Sequence, residues 1–143
     1  MGSRRQSREM ALQAIFQADF SDEWSVENVD ACLKHFCPNP EELGYALSIS
    51  QGVVENLEQV DLLISLASQR WSLSRMSRVD RSIIRIATFE LSMMHEVPAR
   101  VAINEAIEIA KRFGAEDSPN FVNGVLDKIC LLYTSDAATT PYV

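Results

Sequence analysis

The chain has 143 residues, of which 47% are hydrophobic and 23% are charged, and its formal net charge is −7. A chain of this length can bury about 68% of the surface that its unfolded form exposes, so it needs neither disulfides nor a metal to fold. No apolar run approaches the ~20 residues of a membrane span, and the amino end lacks the apolar segment of a secretory signal. We therefore expect a cytoplasmic protein with one domain, or with two small subdomains that share a core.

The negative charge is concentrated in one part of the chain. Residues 21–65 carry nine acidic residues and one lysine, whereas residues 66–112 carry eight basic and five acidic residues. The first eight residues add three arginines and no acid. A net charge of −7 argues against nucleic acid as a partner, but the uneven distribution leaves room for a basic face.

Apolar residues recur at helical spacing through most of the chain, and no segment alternates like a strand. We therefore predict an all-α fold with about seven helices. The predicted helices cover residues 4–20, 26–36, 40–70 with a bend or break between 52 and 56, 78–95, 102–113, and a last segment from 118. Ser25, Asn39, Ser77 and Ser118 are expected to cap helices, because their side-chain oxygens can accept hydrogen bonds from free backbone N–H groups. Gly114 is expected to end a helix in the left-handed conformation.

The chain divides into three segments by composition. Residues 1–70 are predicted to form an N-terminal helical bundle, and residues 71–130 a C-terminal bundle that begins with a serine-rich linker. Residues 131–143 lose the helical periodicity, and residues 131–138 resemble the translation of a common sequencing-adapter sequence. We expect a non-native tail with little order there, with a natural variable tail as the alternative.

No motif for catalysis or metal binding stands out. Cys32, Cys37 and Cys130 are odd in number and have no framework spacing, which is typical of reduced thiols. Cys32, His35 and Cys37 lie close together, but no fourth ligand is nearby, so an apolar helix face is favoured over a zinc site. The sequence has no nucleophile motif, Gly-rich phosphate loop or HExxH motif, so we expect no catalytic residue, no metal, no cofactor and no enzyme activity.

Three arginines, Arg4, Arg5 and Arg8, lie in the first turns of the first predicted helix. The helix dipole mildly disfavours cations at this end. Their placement therefore indicates an anionic partner such as RNA, and a solubilising terminus is the plainer alternative.

The segment from Gly114 to Asn123 joins two predicted helices and carries more functional groups than a connector needs. Asp117 could accept hydrogen bonds from base amino groups, and Phe121 could stack on an unpaired base. The alternative makes Asp117 a helix cap and Phe121 a core residue. Spacing alone favours that alternative.

Arg78, Arg81 and Arg85 are spaced to form one basic stripe on a helix. For Arg85 a structural ion-pair network is the favoured interpretation. Asp80, at the start of the same helix, is expected first to cap it and second to contact a partner.

Several motifs follow one another in order within residues 3–129. They include Arg4-Arg5, Val79-Asp80-Arg81, Glu90-Leu91, Val101 to Ala106, Phe113-Gly114, Glu116-Asp117-Ser118 and Phe121 to Lys128. Together they resemble the NusB family of bacterial transcription antitermination factors. The resemblance is dense in the second half of the chain and thin between Ser21 and Arg70. The N-terminal domain of certain RNA cytosine-5 methyltransferases shares this fold.

The resemblance implies a NusB-like fold of two small helical bundles packed at an angle. It also implies binding of a single-stranded boxA RNA together with the ribosomal protein NusE, in a complex on RNA polymerase that acts in ribosomal RNA operons. Carried over by position, the RNA contacts fall on Arg4, Arg5, Arg8, Asp117 and Phe121.

The partner contacts that the resemblance implies fall on Phe16 and Asp80. Phe16 stands where a tyrosine is common, and phenylalanine lacks the hydroxyl. Ser74 replaces a carboxylate that some members carry, which would weaken the partner contact there.

Two alternatives stay open, a purely protein–protein helical adaptor and a detached N-terminal RNA-binding domain of an RNA cytosine-5 methyltransferase. Three arginines neutralise few phosphates, so the RNA affinity of the chain alone should be modest and should lose little with salt. We expect a basic partner protein to meet the acidic half.

Overall fold

The computed structural model describes residues 3–37 and 39–138 of the chain. Within these residues the chain forms seven α-helices and no β-strand, which confirms the all-α prediction. The helices are α1 (Ser3–Ser21), α2 (Val26–Phe36), α3 (Pro40–Glu55), α4 (Leu57–Ala67), α5 (Arg78–Met93), α6 (Ala99–Phe113) and α7 (Ser118–Ala138). A short 3₁₀ turn, Leu73–Arg75, lies between α4 and α5.

Three of the four predicted caps are confirmed. The side chain of Ser25 accepts a hydrogen bond from the backbone N–H of Asn28 at 3.1 Å, and that of Asn39 accepts from Glu41 at 3.0 Å. Ser77 accepts from the backbone N–H of Asp80 at 3.1 Å. The cap of α5 is therefore Ser77, and the capping role expected for Asp80 is wrong. Each cap satisfies a donor that a helix start leaves without an intrahelical partner.

The predicted break in the long helical segment is confirmed at Asn56, where α3 ends and α4 begins. Gly52 lies just before it, inside α3. A Cβ atom at Gly52 would overlap the ring of Phe89 on α5. The glycine therefore lets α3 approach α5 closely, and this contact explains a residue that ordinarily weakens a helix.

The joint between α6 and α7 differs from the prediction. Gly114 has φ −92° and ψ −173°, which is extended rather than left-handed. A Cβ atom there would lie 2.6 Å from the side chain of Ser118, so space, not a positive φ, requires glycine. Ser118 is the first residue of α7, and its hydroxyl accepts from the backbone N–H of Ala115 at 2.9 Å. The predicted capping role of Ser118 is therefore wrong.

Helix α7 continues to Ala138, and the non-native tail expected for residues 131–143 stays a prediction. No glycine or proline lies between Gly124 and Pro141, and nothing in the sequence stops the helix there. Leu131 is 66% exposed, so this part of α7 has no apolar face packed on the core, and the sequence loses its apolar periodicity although the helix continues. Residues 139–143 lie outside the described residues.

Helix α5 occupies the centre of the molecule, because every residue from Arg81 to Leu91 is buried. One continuous hydrophobic core surrounds it and draws residues from all seven helices. The largest fully buried apolar side chains are those of Ile15, Leu33, Ile49, Ile64, Ile84, Leu126 and Ile129. Residues on both sides of the linker contribute to this core, and the division into bundles at residues 70 and 71 stays a prediction.

Ion pairs join α1 and α4 to α5. Arg81 donates to the carboxylate of Asp19 at 2.7 Å, and Arg85 donates to that of Asp61 at 2.9 Å. Arg81 and Arg85 are buried, whereas Arg78 is exposed, so the predicted basic stripe does not form one surface. The structural ion pair expected for Arg85 is present. None of the helices in residues 3–37 and 39–138 is both long and apolar enough to cross a membrane.

Candidate nucleic-acid interface

The amino-terminal arginines line an open groove of about 770 Å³, hereafter the α1 groove. One wall is the first two turns of α1, and another is formed by Val97 and Pro98, between α5 and α6, and by Val101 at the start of α6. Tyr45 from α3 also lines it. Four arginines reach this groove, but they differ in how much of their charge is available.

Arg8 points into the protein and is only 5% exposed. Its Nε donates to the carboxylate of Glu90 at 2.9 Å, and Glu90 is itself 1% exposed. The hydroxyl of Tyr45 donates to the same carboxylate at 2.6 Å. A phosphate could reach Arg8 only by separating it from a buried carboxylate, which would leave an uncompensated charge. We therefore remove Arg8, predicted from the sequence as an RNA contact, from the candidate surface and assign it a structural role.

Arg8 and Tyr45 each keep one protonation state in this cluster. Burial alone would lower the pKa of Arg8, but the hydrogen bond and the charge of Glu90 outweigh it and raise that pKa. Burial, together with the hydrogen bond to Glu90, raises the pKa of the Tyr45 phenol. Arg8 therefore stays charged and Tyr45 stays protonated at physiological pH.

Arg5 lies at the groove surface and pairs with Glu105 of α6. Its Nε and Nη2 atoms donate to the two carboxylate oxygens at 2.7 and 2.8 Å. This hydrogen bonding raises the pKa of Arg5 and lowers that of Glu105. The side chain of Arg5 is 42% exposed, so a phosphate could reach it, but Glu105 already balances its charge. Arg112 is also paired, through a single nitrogen, because its Nη1 lies 3.2 Å from the carboxylate of Glu9.

Arg4 is the arginine of this groove that has no ion pair with any described residue. Its guanidinium lies 3.8 Å from the centre of the Tyr45 ring, a cation–π contact. Because Glu90 anchors the Tyr45 hydroxyl, the ring is a fixed platform for an exposed cation. Tyr45 and Glu90 went unnoticed in the sequence as site residues, since a tyrosine in a helix is usually a core residue.

Asp117 and Phe121 lie in a different part of the molecule from the α1 groove. Asp117 is exposed, just before α7, and its backbone carbonyl accepts from the N–H of Phe121 at 3.1 Å. Phe121 is half-buried against the core. With Trp71 and Gly124 it lines a second depression, hereafter the Trp71–Phe121 cleft, between α7 and the end of α4. The two depressions share no lining residue. The prediction of an RNA contact at Asp117 and Phe121 stays a prediction, and both side chains are accessible for it.

The predicted partner residues Phe16 and Asp80 lie on neighbouring helix ends. The Arg81–Asp19 pair holds the last turns of α1 against the start of α5. Phe16 and Asp80 are both half-buried, and Oδ1 of Asp80 is buried without a hydrogen bond from any described residue. Phe20, one turn after Phe16, is 63% exposed. The partner role of Phe16 and Asp80 stays a prediction.

The three cysteines form no disulfide with one another, and burial raises the pKa of the Cys32 thiol. In residues 3–37 and 39–138, no three or more His, Cys, Asp or Glu side chains come together in a way that could hold a metal ion.

Comparison with known proteins identifies the family. The model of the NusB family matches residues 5–130. The transcription antitermination protein NusB of Desulfatibacillum aliphaticivorans is 42% identical over 131 residues, which cover 92% of each chain. The transcription antitermination protein NusB of Geobacter sulfurreducens is also 42% identical, over 90% of this chain and 94% of that protein.

Solved structures agree with the sequence comparison. NusB of T. maritima matches with a TM-score of 0.81 at 39% identity, over 90% of each chain. A structure of the antitermination factors NusB and NusE in complex with double-stranded RNA matches with a TM-score of 0.82 over 93% of this chain and 99% of that one. At 23% identity it shows the shared fold alone. The chain therefore belongs to the NusB family.

Proposed function

We propose that this chain is a cytoplasmic transcription antitermination factor that binds single-stranded boxA RNA jointly with the ribosomal protein NusE. The complex acts on RNA polymerase in ribosomal RNA operons. Relatives about 40% identical over nine-tenths of the chain bear the name transcription antitermination protein. The more distant structure that contains NusB, NusE and RNA supports the choice of partners.

The observation that carries the RNA part is the position of Arg4. The exposed guanidinium of Arg4 lies on the ring of Tyr45, and both residues line the open groove of about 770 Å³. Arg5 lies beside it and can share its hydrogen bonds with a phosphate. Because the other two arginines of the groove are already paired, this chain alone should bind RNA weakly and with a shallow dependence on salt.

The need for a protein partner follows from the same charges. Residues 21–65 are strongly acidic, so they repel RNA and attract a basic protein. Phe16, Phe20 and Asp80 are the apolar and acidic groups near the contact that we assign to NusE. A basic partner bound there would extend the RNA-binding surface beyond the α1 groove.

The test compares boxA RNA with a scrambled RNA of the same composition, using the chain alone and the chain with NusE. We expect weak binding by the chain alone and tighter, sequence-dependent binding by the pair. The Arg4→Ala, Arg5→Ala double variant should flatten the salt dependence by about 1 in slope. Arg100→Ala is the matched control, since Arg100 is exposed but does not line the groove. If both RNAs bind the pair equally, or neither binds, a protein–protein adaptor without RNA recognition is the better description.

A further inference from the structure

Helix α4 turns one face to the core and the opposite face, with two leucines, to the solvent. Val60, Ile64 and Ala67 are at most 3% exposed and belong to the core. On the opposite face Leu62 is 60% exposed and Leu66 is 50% exposed. Because they are four residues apart on a helix, their side chains lie next to each other. Among the described residues before residue 131, they are the only exposed leucines.

The two leucines lie between an acidic and a basic end of the same exposed face. Glu58 is exposed at one end and Arg70 at the other, and neither forms an ion pair with another described residue. Exposed amide side chains accompany them at both ends. We call this face the α4 stripe, and it consists of Glu58, Gln59, Leu62, Leu66, Gln69 and Arg70.

The α4 stripe is symmetric about Ile64. The leucines lie two residues before and after Ile64, and Gln59 and Gln69 lie five residues before and after it. The charged residues lie six residues away on either side and have opposite signs. An antiparallel pairing about a two-fold axis places each residue opposite the one at the same distance on the other side of the axis. A second copy of the stripe would therefore meet leucine with leucine, amide with amide, and cation with carboxylate.

Arg70 lies in a turn just beyond the end of α4. The backbone N–H of Trp71 donates to the carbonyl of Ser68 at 2.9 Å, which closes this turn. Packed helices lie about 8–10 Å apart, and the guanidinium of arginine lies at the end of a long side chain. Arg70 can therefore reach a carboxylate on a facing copy of α4.

We propose that the α4 stripe is an interface between two copies of this chain, related by a two-fold axis. Leu62 packs against Leu66 of the second copy, and Glu58 pairs with Arg70 of the second copy, so each contact occurs twice. A partner with charges of one sign would satisfy only one end of the stripe, and a parallel pairing would place Glu58 opposite Glu58. The interface is small, so the dimer is weak. No residue of α4 lines the α1 groove, which stays open in both copies.

Sedimentation velocity of the chain at increasing concentrations, up to about 1 mM, tests the interface. We expect a monomer that dimerises as the concentration rises. Leu62→Ser should raise the dissociation constant of the dimer about tenfold or more, because each copy loses an apolar contact. Phe36→Ser is the matched control, since Phe36 is 50% exposed but lies on α2. The control should dimerise as the parent does.

Reversal of the two charges distinguishes this pairing from unspecific apolar association. Glu58→Arg and Arg70→Glu should each weaken the dimer about tenfold or more, because each places like charges opposite each other twice. An equimolar mixture of the two variants should regain the affinity of the parent, since every cation meets a carboxylate in the mixed pair. Circular dichroism of each variant confirms that it is folded.

Any of three results overturns the proposal. A chain that stays monomeric up to about 1 mM has no such interface. Dissociation by Leu131→Ser but not by Leu62→Ser would assign self-association to the end of α7, where Leu131 is exposed. Charge variants that dimerise as the parent does, or that do not recover when mixed, would exclude the antiparallel pairing. The RNA test with the Arg4 and Arg5 variants decides the proposed function in each case.

Discussion

The α1 groove and the Trp71–Phe121 cleft show that the number of arginines does not determine where an anion can bind. The groove has four arginines, of which Arg5, Arg8 and Arg112 are paired with carboxylates of the protein. The cleft has two cations in its lining, Arg70 and Lys128, and neither is paired with a described residue. Available charge, and not total charge, therefore distinguishes the two surfaces. Most of the arginine charge at the groove stabilises the fold.

The largest expected effect concerns Arg8. Arg8→Ala should lower the free energy of unfolding by about 3–5 kcal/mol, because it leaves the Glu90 carboxylate buried without its counter-charge. Urea denaturation measures this change. Arg4→Ala, at an exposed position on the same helix, should change stability by less than about 0.5 kcal/mol. A small loss of stability in Arg8→Ala with a large loss of RNA binding would show that the charge of Arg8 is available to RNA.

The next effect concerns Phe121. Phe121→Ala should weaken RNA binding by roughly 1–3 kcal/mol if the ring stacks on a base. Fluorescence anisotropy with labelled boxA RNA and the NusE-bound chain measures the change. Phe36→Ala is a suitable control, since Phe36 is 50% exposed and lines neither depression. Equal affinities for the Phe121 variant and the parent would make Phe121 a packing residue only.

A smaller effect is expected at Gly124. Gly124→Ala should raise the free energy of unfolding by roughly 0.5–1 kcal/mol, because it removes a flexible residue from a helix interior and meets no neighbour. Gly52→Ala should do the opposite, since its Cβ would overlap the ring of Phe89. Thermal denaturation of both variants tests the contrast. Loss of stability in Gly124→Ala would mean that the space in the cleft is not vacant.

The smallest effect on stability concerns the Arg5–Glu105 pair. The folded-state pKa of Glu105 lies below its ordinary value of 4.5, so the pair stabilises the protein above that pH. The contribution is lost as the pH falls through the lowered pKa. Glu105→Gln should therefore cost less than about 1 kcal/mol at pH 7 and nothing at a pH low enough to protonate Glu105.

Glu105→Gln also tests whether the ion pair with Glu105 limits the binding of RNA by Arg5. The substitution releases the charge of Arg5, so RNA binding should become tighter and more dependent on salt. Measuring the RNA affinity at two salt concentrations for the parent and the variant checks this. Unchanged binding would show that Arg5 does not contribute whether or not it is paired.

Local signals in the sequence predicted the helices well. Ser25, Asn39 and Ser77 mark helix starts because the cap oxygen and the backbone N–H that donates to it lie within three residues of each other. The break near Asn56 was predictable because residues 40–70 are long for one globular helix and Gly44 and Gly52 weaken it. The conformation of Gly114 could not be predicted, because the constraint on it comes from the side chain of Ser118 and the turn between them.

Long-range pairing could not be predicted from the sequence. Arg8 and Glu90 are 82 residues apart, and Arg5 and Glu105 are 100 residues apart. The family resemblance indicated which positions to examine, but it could not tell a buried arginine from an exposed one. Trp71 was predicted to lie in a linker, since its neighbours in the structure, Phe121 and Lys128, are at least 50 residues away in the sequence.

The carboxylate of Glu90 connects the interior of the protein with its surface. It holds Arg8 in the core and Tyr45 at the edge of the groove, and Tyr45 in turn supports Arg4. A substitution that displaces α5 by a fraction of an ångström would therefore also move the guanidinium of Arg4, the groove arginine without an ion pair to any described residue. Variants selected for thermal tolerance at the centre of this molecule should consequently show altered transcript affinity, even when no residue at the surface has changed.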